Sequence, residues 1–462
     1  MVLASPDCQT PLLHSAPAEP SLINRTGNLW TAVAHIITGV IGSGVLSLAW
    51  SMAQLGWIAG PLAMLIFALI TLLSTFLLCN FYRTPDPEHG PGRNCSYIEA
   101  VDTSLGKNKA RACSFFIHIG FYGTGIAYTV TSAISMRAIQ KSNCYHEQGH
   151  EAACEFSDTY YMLVFGIVQI ILSQAPDFHN IQSLSIMAAV MSFAYSSIGF
   201  ALGLAKVIRE GCVKGSITGV STSTGIEKMW LVFQAIGDIA FAYPYSLVLI
   251  EIQDTLKSPP PENQTMKKAS TIAIAITTSF YLLCGGFGYA AFGDNTPGNL
   301  LTGFGFYEPY WLIDFANACI VVHLVGGYQV YSQPVFANVE KWICGKFPHS
   351  EFLNHDFTLK VPLLPGFRLN LLRLSFRSVY VVSTTIIAMI FPYFNQVIGA
   401  IGAVIFWPLS IYFPVEMYLK HMNIEAWTGK WVLFQAFSFV CFVVTVLALA
   451  GSIEGLISAK LS

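Results

Sequence analysis

Residues 34–48 read AHIITGVIGSGVLSL, with Gly39, Gly42, Ser43 and Gly44 crowded into an otherwise apolar run. A glycine inside a helix is about 1 kcal/mol less favourable than alanine, so an uninterrupted spanning helix is a poor host for this cluster. The spacing predicts that the helix breaks here and leaves backbone N–H groups unpaired near the middle of the run. The start of the following half-helix then suits an anionic ligand group. Ile41, Gly42, Ser43, Gly44 and Val45 are therefore the first candidate substrate-binding residues. A close-packing face of small residues is the alternative reading.

The chain around this stretch has 462 residues, 54% of them hydrophobic and 11% charged, with a mean hydropathy of +0.55. Soluble domains carry about 25% charged residues, and this composition is that of an all-α polytopic membrane protein embedded in a lipid bilayer. A formal net charge of -2 gives no reason to expect a nucleic-acid partner. Residues 1–28 are polar and contain proline without a basic cluster leading into a short apolar core. They read as a disordered cytoplasmic tail, not a cleavable signal.

A spanning helix needs about 20 mostly apolar residues, and eleven such runs are found. They lie near 29–56, 58–82, 112–137, 158–174, 181–206, 228–251, 269–292, 309–335, 374–391, 394–419 and 431–457. With the N-terminus inside, most of the 24 lysines and arginines fall on inner segments, among them Arg83, Arg93, Lys107, Lys109 and Arg111, then Lys341, Lys346, Lys360, Arg368, Arg373 and Arg377. The positive-inside rule gives a cytoplasmic N-terminus and an extracellular C-terminus. Lys206, Arg209, Lys214 and Lys228 dissent on an outer segment.

Cys144 and Cys154 fall in the outer loop KSNCYHEQGHEAACEFS, where oxidation is permitted, and a disulfide is expected between them. A metal site of Cys144, His146, His150 and Cys154 is the alternative; no metal is expected. The sequons at Asn24, Asn94 and Asn263 lie on inner segments and should carry no sugar. Ser96 to Arg111 reads as a short amphipathic helix, and the basic segment from Phe336 to Phe376 carries an extended patch, FTLKVPLLPGF.

A second anomaly lies at residues 234–246, QAIGDIAFAYPYS, where Gly237, Asp238 and Pro244 interrupt the sixth run. Proline removes a helix hydrogen bond, and a carboxylate inside the membrane is a functional candidate by default. A lone proline kink is the bland reading. The sixth run stands five after the first, however, and paired interruptions point to an inverted-repeat transporter. Residues 29–206 and 228–419 then form two oppositely oriented halves of one transmembrane domain, with 431–457 as an added helix. The amides of Ser43, Gly44 and Val45 face a carboxylate, while carbonyls freed at both breaks, with Asp238, face an ammonium group. A zwitterion fits both ends.

Three passages carry a family resemblance: RTGNLWTAVAHIITGVIGSGVLSLAWSMAQLGWIAGP, GDIAFAYPYSLVLIEIQDTLKSPPPEN and GYAAFGDNTPGNLLTGFGFYEPYWLIDFANACIVVHLVGGYQVYSQPVFA. From Arg25 onward the chain resembles plant amino acid permeases of the amino acid/auxin permease family. The resemblance implies a LeuT-type 5+5 inverted repeat and a plasma-membrane proton/amino acid symporter of broad selectivity, with H+ as coupling ion and no cofactor. In that fold a coupling cation sits between the inner halves of spans one and eight. Here those halves hold His35 and His323, whose unperturbed pKa near 6.5 suits a proton site between an acidic exterior and a neutral interior. Facing imidazoles that bind a proton are one reading; neutral histidines hydrogen-bonding across helices are the other.

Phe241, Tyr243 and Tyr122 are candidates to shape or occlude the pocket, or simply to pack. His118, Asp314, Glu251 and Glu416 lie toward the ends of their runs and read as solvated or gate positions. Sodium coupling and a non-transporting amino acid receptor remain alternative functions. A channel would not call for paired broken helices. The absence of a nucleotide fingerprint, HExxH or G-x-S-x-G element argues against an enzyme.

Overall fold

The computed structural model describes residues 25–174, 181–305, 309–347, 356–359 and 367–461. The expected tail therefore lies outside the described residues except for its last four, and these are held in place. Arg25 Nη2 meets Asp254 Oδ1 at 2.9 Å, and the Gly27 N–H donates to the Thr255 carbonyl at 2.9 Å. The boundary at residue 28 is corrected accordingly: a salt bridge and backbone pairing order the chain before the first helix begins.

That helix, α1 (Leu29–Val40), starts at a capping box. The Asn28 side chain accepts from the Trp30 and Thr31 N–H groups, and Thr31 Oγ1 accepts from the Asn28 N–H, which satisfies donors a helix start otherwise leaves open. It ends before Gly44, where α2 (Gly44–Leu78) begins. The expected border between the first two runs is a kink inside α2. Gly56 has φ +83°, and a Cβ there would lie 2.2 Å from the Ile217 carbonyl oxygen, so only glycine suits the position.

The remaining helices are α3 (Tyr97–Leu105), α4 (Lys107–Gln148), α5 (Asp158–Ser173), α6 (Ile181–Glu210), α7 (Gly225–Ala242), α8 (Leu249–Asp254), α9 (Glu262–Phe292), α10 (Tyr310–Lys346), α11 (Leu371–Ile390), α12 (Phe394–Trp407), α13 (Phe413–His421) and α14 (Gly429–Leu461). Among the described residues, eight helical stretches are long and apolar enough to cross a membrane, and Leu29–Val40 and Asp158–Ser173 are shorter apolar helices. The amphipathic segment at 96–111 is not one helix. Gly106, at φ +90°, ends α3, and α4 then runs 42 residues from Lys107. In the segment after α10, strands Asp356–Leu359 and Phe367–Asn370 pair antiparallel across part of the expected extended patch.

The chain pairs α2 with α7 and α9, α10 with α4 and α6, and α7 with α12 and α14. Their outward faces are apolar: Ile58, Leu62, Leu65 and Leu69 on α2, Val379, Val382, Ile386 and Ile390 on α11, and Leu433, Val440 and Ile457 on α14 are all exposed. Exposed apolar surface on this scale suits lipid. Cys144 and Cys154 form a disulfide, which consumes the two thiols a metal site would need, and the neighbouring His146 and His150 rings pack against Tyr310. Asn94 and Asn263 are buried, with side-chain amides donating to the Phe81 carbonyl and to Asn80, and this burial leaves no room for a sugar. The third sequon, at Asn24, lies outside the described residues.

Candidate functional site

The two sequence anomalies are side by side. Residues 41–43 separate α1 from α2, while Pro244 and a short 3₁₀ turn, Ser246–Val248, separate α7 from α8. A Cβ at Gly44 would lie 3.0 Å from both Cα and Cβ of Ala242, so the α2 start and the α7 end touch backbone to backbone. A single hydroxyl ties the breaks together. Tyr281 of α9 places its OH 2.6 Å from the Val40 carbonyl oxygen and 2.8 Å from that of Ala242, the last residues of α1 and α7. Helix C-termini leave carbonyls without intrahelical partners, and Tyr281 serves one from each half.

Beside this junction lies a small cavity of about 30 Å³ lined by Gly39, Val40, Gly42, Ser43, Gly44, Thr124, Tyr128, Phe241, Ala242, Pro244, Leu247, Tyr331 and Ile405. Ser43 makes no capping bond, and its buried Oγ has no hydrogen-bond partner. The first N–H groups of α2 also lack intrahelical acceptors. Donors are thus concentrated on one wall, next to the positive end of a helix. Of the expected binding residues, Gly42, Ser43, Gly44 and Phe241 line this space, whereas Ile41 and Val45 are buried beside it.

The carbonyls of the unwound segment are not free for an ammonium group. Tyr331 OH donates to Gly39 O at 3.0 Å, Ser192 Oγ to Ile41 O at 2.8 Å and Tyr195 OH to Gly42 O at 3.0 Å. Asp238 does not line the cavity either. It lies one turn before the cavity wall on α7, where its Oδ2 accepts from Asn395 of α12 and Ser51 of α2. Tyr243 is buried against the Tyr281 ring, and Tyr122 turns toward α11, where its OH donates to Ser383.

His323 is fully buried on α10 beside the break. Its Nδ1 lies 3.0 Å from the Ala188 carbonyl oxygen and 3.0 Å from Ser192 Oγ. A carbonyl only accepts, so Nδ1 carries the hydrogen and Nε2 is the basic nitrogen. Nε2 has no partner, and a Cβ at Gly42 would be 3.8 Å from it. His35 is elsewhere. It lines a vestibule of about 400 Å³, open to solvent, with Thr38, Gly39, Glu251 and Tyr331. The expected facing pair is therefore corrected: His323 points from α10 toward α4, α6 and the break, while His35 points from α1 into the vestibule. Gly39 and Tyr331 belong to both linings, between vestibule and cavity.

Residues 25–458 match the family described as transmembrane amino acid transporter protein. The chain belongs to that family. Among its relatives in Arabidopsis thaliana, the protein named probable amino acid permease 7 is 57% identical over 444 residues, covering 95% of each chain. Amino acid permease 2 is 55% identical over 436 residues, covering 94% of this chain and 88% of that one. These relatives are named as permeases, not enzymes. The solved structure of MhsT in complex with L-phenylalanine aligns with a TM-score of 0.54 over 91% of this chain and 98% of that one, at 10% identity. At that identity the likeness concerns the LeuT-like fold alone.

For this transporter-family chain the sequence reading missed Thr124, Tyr128 and Tyr331. A helix-face signal was available for each. Tyr331 follows His323 and Gly327 along one stripe of α10 at intervals of four residues, and Tyr128 follows Thr124 by four on α4. Gly327 and Tyr128 meet directly, since a Cβ on the glycine would lie 2.9 Å from the ring. Tyr195 and Tyr281 carry no such local signal, because their acceptors lie on other helices.

Proposed function

We propose that this chain imports amino acids across the plasma membrane by alternating access, coupled to protons and broad in its selectivity. The amino acid substrate rests on relatives named amino acid permeases. The observation that carries the mechanism is the junction of the two breaks: Ser43 Oγ and the α2 N-terminus open on one cavity, with His323 Nε2 beside it. In this reading the substrate carboxylate rests on Ser43 and the α2 amides, and Phe241, Thr124 and Tyr128 surround the remainder.

His323 supplies the coupling. Burial disfavours an imidazolium, and a carboxylate arriving at the bend favours it. Proton and substrate then stabilise each other's binding by the same factor. His35 acts in the vestibule, where a proton leaving the bend meets water. Eleven spans in a 5+5 arrangement, 29–206 and 228–419, with 431–457 added, complete the architecture. The N-terminus is cytoplasmic and the C-terminus extracellular, so the vestibule at His35 opens inward.

Currents in voltage-clamped cells, recorded for a panel of amino acids at acidic and neutral external pH with and without sodium, test this reading. Inward currents that grow with external acidity and survive sodium removal are expected. Currents that need sodium, or saturable binding with no current and no uptake, overturn it.

A further inference from the structure

The cavity does not use the most enclosed carboxyl group among the described residues. Asp238 has no exposed surface, and its Oδ2 accepts from Asn395 Nδ2 at 3.0 Å and Ser51 Oγ at 3.4 Å. Oδ1 accepts from nothing. Its surroundings are tightly drawn: a Cβ at Gly399 would lie 2.8 Å from Oδ1 and 2.7 Å from Ser452 Oγ, and one at Gly237 would lie 2.7 Å from the Gly399 carbonyl oxygen. One turn earlier, Gln234 Nε2 is also buried without a partner.

No cation compensates this carboxyl group among the described residues. Neither α2 nor α12 carries a charged residue. On α7, Glu227 accepts from Ser223, and the Lys228 ammonium donates to the Gln54 and Val220 carbonyls at 2.6 and 2.8 Å. On α14, Glu454 accepts from Ser458, Lys460 lies over the Phe391 ring, and Lys430 stands at the other end of the helix. A buried carboxylate needs a cation or several hydrogen bonds to offset its lost hydration, whereas a neutral carboxylic acid does not. One amide donor and a serine hydroxyl shared with the Ser47 carbonyl on one oxygen, with the other bare, suit the acid.

Asp238 also sits on the closed side of the junction. The vestibule opens along α1, α8 and α10, while Asp238 on α7 is hydrogen-bonded to Ser51 of α2 and Asn395 of α12. We propose that Asp238 is a proton-binding site that controls closure of this side: α2, α7 and α12 pack together only after Asp238 has taken a proton from the solution that side faces. This inference rests on the alternating-access reading above, in which that solution is extracellular. The proton passes from external water to a carboxylate oxygen when the contact is open, and it returns there when the contact reopens. Asp238 is thus a positioning residue that gates the cavity without touching substrate.

The test compares full-length wild type, Asp238→Asn and Asp238→Glu in amino acid uptake across external pH. An amide is always neutral, so in Asp238→Asn the ratio of uptake at acidic to neutral pH should fall below the wild-type ratio, to the part that His323 carries, while the titratable Asp238→Glu keeps a higher ratio. An Asp238→Asn protein with the wild-type pH profile overturns the inference. If Asp238→Asn carries no uptake, thermal melting of the purified proteins decides: stabilisation on acidification that shrinks in the variant supports the inference, and unchanged stabilisation refutes it. Failure of the broader reading looks different, because the wild type itself then lacks pH-dependent uptake.

Discussion

Adding one methyl group at each end of the first break should have unequal consequences. At Gly44 the new Cβ would lie 3.0 Å from the Ala242 Cα and Cβ and 3.5 Å from Phe241 Cδ1. Ordinary carbon–carbon contact is about 3.5–4.0 Å, so the two half-helices must separate by a half-ångström or more. Ala242 cannot yield alone, since its carbonyl is held by Tyr281 together with that of Val40. At Gly39 the nearest atom is Tyr331 OH at 3.4 Å, and the next two lie at 3.9 and 4.0 Å. Over-packing typically costs about 1–3 kcal/mol, and about 1.4 kcal/mol is a factor of ten in affinity. Gly44→Ala should therefore raise the KM for amino acid uptake by roughly ten- to a hundredfold. Gly39→Ala should change it by less than about threefold, helped by a helix-propensity gain of up to about 1 kcal/mol. Uptake kinetics in proteoliposomes, normalised to folded protein, measure both. Equal losses at the two positions would mean that the glycines serve helix packing alone, and the carboxylate cradle at Gly44 would have to be abandoned.

Replacing His323 with glutamine should leave a folded protein whose substrate currents grow less steeply as the external solution is acidified, the remainder coming from Asp238; undiminished, pH-dependent currents would remove its coupling role. Tyr281→Phe deletes the hydroxyl shared by two buried carbonyls, and should cost about 1–3 kcal/mol of stability, read as a lower melting temperature in detergent. An unchanged melting temperature would mean that water replaces the hydroxyl. Glu340→Ala strands Arg377, which otherwise pairs with Glu340 at 2.8 Å and donates to the Ser173 carbonyl at 2.7 Å with both side chains nearly buried. The expected cost is about 3–5 kcal/mol, and combining it with an apolar replacement of Arg377 should restore much of the loss.

The breaks were legible because their causes are local. Glycine and proline change the backbone where they stand, so Gly39 to Gly44 and Pro244 reveal themselves without any knowledge of their neighbours. The partners of those breaks were not legible. Tyr195, Tyr281 and Tyr331 reach the opened carbonyls from three different helices, and nothing in their own sequence context marks which hydroxyl meets which carbonyl. That is why the freed carbonyls were expected to hold an ammonium group, and why the structure assigns them to hydroxyls. Direction around a helix was the other missing quantity. Counting residues at 1.5 Å each gives the depth of a side chain along its helix, which placed His35 and His323 near each other, and Asp238 near the pocket. It does not give azimuth. Rotated into place, His323 faces the bend, His35 faces the vestibule and Asp238 faces Ser51 and Asn395. The expected histidine pair and the expected pocket carboxylate thereby become three separate titratable groups, one on each side of the cavity and one beside it. Such an arrangement suits alternating access better than a single shared site, because each group can meet water in a different state of the cycle.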